Sequence, residues 1–162
     1  MVNPSTIYGP GDAKKGSRKV QLKVARGKFP FYTQGGVNVV SIHDVVRGTL
    51  KAYELGRTGE RYILAGENIT IKDLFTLIAK EAGVDPPRIL IPTPVLKALG
   101  KVGDVLEKYD LKSITNSENA MTATMYHWFD NSKAKKELGL NPLTAQQAIS
   151  ESVQWMRENG YI

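Results

Sequence analysis

Few residues in this 162-residue chain are of types that do chemistry unaided. Two histidines, His43 and His127, stand far apart, and neither lies in a ligand-spaced cluster with acids, so no metal centre is expected. His127 falls in an aromatic run and His43 directly before a helix start, where packing or capping accounts for both. There is no cysteine, which excludes disulfides, thiol catalysis and Cys-based zinc sites and fits a reducing compartment. No Gly-x-Gly-x-x-Gly loop, no phosphate loop ending in Gly-Lys-Ser/Thr and no Gly-x-Ser-x-Gly elbow occurs. Glu54 and Glu60 flank a loop, where two solvated carboxylates are expected rather than an acid–base pair. The residues by themselves predict no complete catalytic machine.

Charge is unevenly placed. Residues 1–43 hold seven basic side chains (Lys14, Lys15, Arg18, Lys19, Lys23, Arg26, Lys28) and one acid, Asp12; the rest of the chain balances at fifteen of each sign. The net +6 therefore lies at the front. Such a segment either attracts polyanions and phosphate-bearing small molecules or forms the solvated face of a basic helix. Phe29, Phe31 and Tyr32 beside it could stack bases, so a small basic nucleic-acid-binding module is an alternative of another class, although no nucleic-acid motif accompanies it.

The elements that must position these residues alternate between strand and helix. Val2 to Tyr8 reads as a strand running into the turn Gly9-Pro10-Gly11-Asp12, and Lys14 to Gly27 as a basic helix. Phe29 to Thr33 is extended, and Val37 to His43 is a β-branched strand. Asp44 is expected to cap a helix with the stripe Val45, Val46, Thr49, Leu50, Ala52 and Tyr53, ended by Gly56 and Gly59. A strand over Tyr62 to Ala65 precedes a helix opened by Thr70-Ile71-Lys72-Asp73 and stopped at Gly83, with Ile71, Leu74, Phe75, Ile78, Ala79 and Ala82 on one face. Arg88 to Ile91 is a strand, Pro94 to Tyr109 a helix interrupted by Gly100 and Gly103, and Ser113 to Thr124 is unpatterned. Met125 to Phe129 is extended; Asp130 or Asn131 caps a short helix, Ser132 to Leu138. A capping box at Thr144 opens a final helix with Ala145, Ala148, Ile149, Ser152, Val153 and Met156 inward, ended by Gly160. The class is α/β or α+β, built from βα units.

Four segments in register carry a family resemblance. Val2-Asn3-Pro4-Ser5-Thr6-Ile7-Tyr8-Gly9-Pro10-Gly11-Asp12 resembles a segment of the extended short-chain dehydrogenases/reductases, the NAD-dependent epimerase/dehydratase family. Gly36 to Val46 matches that family's Gly-x-Asn-x-Val-x-Val-x-Asp-Val stretch, and Gly59 to Asn68 and Phe129 to Gly139 are similar to two further ones. Within the family the chain is most similar to the dihydroflavonol-reductase-like branch, which includes the hopanoid-associated sugar epimerases. The resemblance covers residues 1–162 as a C-terminal, substrate-binding portion only. It implies an α/β fold, the rear of a Rossmann-type sheet with a small substrate-binding subdomain.

The same resemblance assigns the glycine-rich dinucleotide loop and the Tyr-x-x-x-Lys pair to an N-terminal half absent from this chain. None of the seven tyrosines is followed by lysine four positions on, so whether the chain is itself an enzyme stays open and no catalytic residue is assigned. Asn3, Pro4, Ser5 and Thr6 are implied to lie beside the nicotinamide of NAD or NADP, past the end of a sheet strand. Proline fixes its own φ and restricts the residue before it, which would hold that turn ready. Where family members acting on nucleotide sugars carry arginine and aspartate, this chain has Val37 and Asn38, and valine cannot grip a diphosphate. The implied function is the substrate-binding half of a reductase or epimerase acting on a carbonyl or hydroxyl of a small molecule.

Expected partners are the missing half and, because the front of the sheet is absent, a second copy; a non-catalytic interaction domain derived from the enzyme is a further possibility. With 41% hydrophobic residues, no apolar run near ~18 residues and no basic-then-apolar leader, the chain is expected to be cytoplasmic, without a membrane partner.

Overall fold

A computed structural model describes residues 1–11, 18–109, 111–113 and 115–162. The chain opens with two three-residue strands, β1 (Val2–Pro4) and β2 (Thr6–Tyr8), where one strand was expected. The break at Ser5 has a topological cause. β1 pairs in parallel with β5 (Tyr62–Leu64), whereas β2 pairs in parallel with β4 (Gly36–Ser41), so the backbone leaves one sheet for another within a single residue. On its two edges, β4 also carries β6 (Glu67–Thr70), antiparallel, and β8 (Tyr126–His127), parallel. A third, two-stranded parallel sheet joins β3 (Phe31–Thr33) to β7 (Ile89–Ile91). The expected α/β class, with parallel pairing predominating, is what the chain adopts.

Seven helices cover these sheets among the described residues: α1 (Lys19–Ala25), α2 (Ile42–Leu55), α3 (Ile71–Ala82), α4 (Thr93–Lys108), α5 (Ser117–Thr122), α6 (Ser132–Leu138) and α7 (Ala145–Glu158). The helix expected from Lys14 is described only from Lys19; Asp12, Lys14 and Lys15 lie outside the described residues. α3 and α7 bury the stripes that their 3.6-residue periodicity announces: Leu74, Phe75, Ile78 and Ala79 in one, Ala145 through Met156 in the other. With Tyr8, Val24 and Val39 they form the larger core. A smaller core sets Ala134, Leu138 and Leu140 against Tyr62 and Leu64.

Their ends follow capping chemistry. Thr70 Oγ1 accepts from Asp73 N, and the Thr144–Gln147 box closes in both directions. Gly83 takes the left-handed conformation that ends α3, with φ +75°. The extreme C-terminus is tied down: the Tyr161 carbonyl accepts twice from the Arg26 guanidinium, and the Tyr161 ring stacks on Trp155.

Three expectations change. Ser41, not Asp44, caps α2, accepting from His43 N at 3.2 Å. Asp44 lies one turn inside and is fully buried; its Oδ2 accepts from Leu143 N at 2.8 Å and its Oδ1 from Arg47. The chain thus uses this carboxylate to fasten the approach to α7. Second, the apolar stripe of α2 splits: Val45 and Ala52 pack against the smaller core, Val46, Leu50 and Tyr53 are exposed, and Gly48 is buried against β5. A Cβ at Gly48 would come within 2.8 Å of Leu64, so the glycine, not the leucine, sets the packed face. Third, the unpatterned stretch contains α5, capped by Asn116 accepting from Asn119 N at 2.9 Å.

Candidate functional site

The most constrained polar cluster surrounds the Ser5 crossover. Ser5 N donates to Leu64 O at 3.1 Å, anchoring the crossover to β5, while Ser5 Oγ donates to Asn38 Oδ1 on β4. Asn38 is fully buried in a β-branched strand, a costly place for an amide unless every polar atom is paired. It is paired throughout: Oδ1 also accepts from Gly66 N at 2.9 Å, and Nδ2 donates to Asn68 Oδ1 at 2.6 Å and to Gly66 O at 3.3 Å. Asn68 continues the ladder, accepting from Phe129 N and donating to Phe129 O, both at 3.1 Å. Gly66 is required by the close approach, since a Cβ there would lie 2.0 Å from Val39 O.

Asn3, Pro4, Ser5 and Thr6 therefore form a short lip at the carboxyl end of parallel β1, where ligands gather in open α/β sheets. Asn3, Pro4 and Thr6 are exposed and Ser5 is half-buried. Donors on this lip are fewer than a free turn would offer. Pro4 has no N–H, Ser5 N is committed to Leu64 O, and the Ser5 hydroxyl points inward to Asn38. Ser5 thus positions the lip, leaving the Asn3 amide and Thr6 hydroxyl facing outward. Asn68 and Gly66 were not singled out from sequence, and Asn38 was noted only as a departure from the family's pattern. The available signal was an asparagine inside Val37-Asn38-Val39-Val40, since asparagine is depleted in strands.

Neither histidine joins this lip. His43 is exposed on α2 with Nε2 3.6 Å from Glu151 Oε2; His127 is exposed on β8 with Nε2 3.3 Å from Thr122 O. Among the described residues no group of His, Asp and Glu could hold a metal ion. Of the titrating groups shifted by their surroundings, Arg57, Glu60 and Glu137 form a structural clamp instead. Glu137 on α6 takes the Arg57 guanidinium at 2.7 and 3.1 Å and the Tyr62 hydroxyl at 2.8 Å, which hold its carboxyl below the usual range. Glu60 is lowered first by Lys133, whose ammonium also lies 4.8 Å from the centre of the Tyr62 ring. Glu60 is therefore paired rather than freely solvated, and Glu54 does not share its site.

No family model matches the chain. A Synechocystis protein named "Putative dihydroflavonol 4-reductase" is 30% identical over 100% of this chain and 49% of its own length. "Sterol demethylase protein B" of Methylococcus capsulatus is also 30% identical, over 100% of the chain and 51% of its own length. Among solved structures, a nucleoside-diphosphate-sugar epimerase from Pseudomonas aeruginosa superposes with a TM-score of 0.80 at 28% identity, covering 99% of this chain and 48% of that one. The fold and these likenesses define the class: the chain has the sequence and architecture of the C-terminal portion of an extended short-chain dehydrogenase/reductase. It is similar to the dihydroflavonol-reductase-like branch and spans about half the length of the curated relatives it matches.

Proposed function

We propose that the chain is the substrate-binding portion of an NAD(P)-dependent reductase or epimerase acting on a carbonyl or hydroxyl group of a small molecule. The supporting observation is the lip at residues 3–6, held rigid by Asn38 and Leu64 at the carboxyl end of β1. Asn3 and Thr6 are of the right type to meet a nicotinamide carboxamide, which needs one donor and one acceptor. The cofactor supplies the hydride chemistry. This chain orients it and walls the substrate; an acid–base group must come from a dinucleotide-binding portion.

Such a portion has a place to add. The far edge of β1 has no partner among the described residues, and α2 beside it leaves Val46, Leu50 and Tyr53 uncovered. In its absence a second copy is the natural occupant of that edge. Val37 in place of a diphosphate-gripping arginine favours a carbonyl substrate without a nucleotide, consistent with relatives named for a flavonol and a sterol. A nucleic-acid module is less well supported. Arg18 is buried on Ser152 and Ile7 O, Arg26 holds the C-terminus, and Phe29 packs edge-on against Phe75.

The test is reconstitution. The chain mixed with the dinucleotide-binding portion of the Synechocystis relative should oxidise NADH or NADPH with an aromatic or polycyclic ketone, and Asn3→Ala should weaken cofactor binding several-fold. Turnover by the chain alone would overturn the assignment of the acid–base group elsewhere.

A further inference from the structure

Helix α4 is built with its apolar stripe turned outward. Three parallel stripes run along it, each spaced by about one or two helical turns. Leu96, Gly100 and Gly103 form the packed face; a Cβ at Gly100 would lie 2.9 Å from Ala120 Cβ, and one at Gly103 only 1.7 Å from Thr115 O. The glycines let α5 and the segment leading into it close onto this face. Val95, Leu99, Val102 and Tyr109 form a second stripe that α5 leaves uncovered; these four are 47–70% exposed, and Val105 beside them is 56% exposed. Lys97, Lys101 and Lys108 form the third.

The charges on α4 are sorted as well. Asp104 Oδ1 accepts from Ser117 N at 2.9 Å, and Glu107 accepts from Ser113 Oγ at 2.7 Å, so both acids are spent on the α5 side. Among the described residues, Lys97, Lys101, Lys108 and the following Lys112 have no ion-pair partner. A 16-residue helix with an uncovered apolar face flanked by unpaired lysines has the make-up of a helix that lies in a bilayer interface. No helix among the described residues is long and apolar enough to cross a membrane, so this contact is parallel to the surface.

We infer that α4 docks the chain on an anionic lipid bilayer, with the stripe from Val95 to Tyr109 sunk between head groups and Lys97, Lys101 and Lys108 meeting their phosphates. α4 stands apart from α2 and the open edge of β1, where a dinucleotide-binding portion is proposed to add: it follows β7 and packs chiefly on α5. Charge complementarity favours lipid over a second copy, which would set lysine stripe against lysine stripe.

Vesicle flotation with the full chain tests this. Binding to phosphatidylcholine vesicles containing phosphatidylglycerol should exceed binding to pure phosphatidylcholine at least tenfold, and should fall as salt is raised. Lys97→Glu with Lys101→Glu, or Leu99→Asn with Val102→Asn, should each reduce binding about tenfold; all four positions are exposed, and circular dichroism checks that the variants fold. Equal affinity for neutral and anionic vesicles, or no flotation with either, overturns the proposal. So does sedimentation showing a dimer that Leu99→Asn with Val102→Asn dissolves, because the stripe then belongs to a second copy.

Discussion

Asn38, on β4, does more to hold the lip than any other single side chain around it. Its amide satisfies Ser5, Gly66 and Asn68 at once, so removing it leaves several part-buried groups without a partner rather than one. Asn38→Ala is expected to destabilise the chain by about 2–3 kcal/mol in urea unfolding. Asn38→Asp keeps the acceptor for Gly66 N but sets a buried carboxylate oxygen against Gly66 O and Asn68 Oδ1, and should cost at least as much as Asn38→Ala. An Asn38→Ala stability within ~0.5 kcal/mol of wild type would refute the ladder. Asp44 invites the same reasoning: Asp44→Ala leaves Leu143 N without its acceptor, whereas Asp44→Asn can still accept there and should lose less.

At the level of elements, the clamp between α6 and the β5 region gives a pH dependence with a definite sign. Glu60 and Glu137 both have folded-state pKa values below their ordinary ones, caused first by Lys133 and by Arg57 respectively. Their contribution is fully present above the unfolded glutamate value of about 4.3 and is lost as pH falls through the lowered folded values. Melting temperature should therefore decline on acidification below that range. Arg57→Ala should flatten part of the decline; the effect is small because the pairs are solvent-screened.

The packing of α4 on α5 is more sensitive. Gly103→Ala places a methyl on Thr115 O and should cost roughly 1–3 kcal/mol, with faster amide exchange in α5 as the specific signature. These elements also show what could be read from sequence. α3 and α7 were legible because their stripes, caps and glycine stops agree. α2 misled in part, because buried Gly48 shares its packed face with only Val45 and Ala52 of the expected stripe; in α4 Gly100 and Gly103, expected as interruptions, lie inside a continuous helix and mark its packed face with Leu96. Residues 3–6 were singled out only through family likeness, and the Asn38 ladder that holds them joins residues brought together by sheet pairing, which no local pattern records.

For the whole molecule, the distribution of basic side chains separates the competing functions. Arg18 and Arg26 are consumed by internal contacts, so fewer cations remain at the front than the sequence suggests. Titration with duplex DNA should give weak binding, and a steep log–log salt dependence at sub-micromolar affinity would restore the nucleic-acid reading. The chain alone should show no nicotinamide turnover across a panel of ketones, measured by cofactor absorbance.

One joint in the molecule makes its two main sheets a single mechanical unit. The amide of Ser5 belongs to one sheet and its hydroxyl to the other, so neither sheet can loosen locally without pulling on the same residue. Ligand resting on the lip would then damp fluctuations on both sides together, and deuterium uptake in strands β4 and β5 should slow in step.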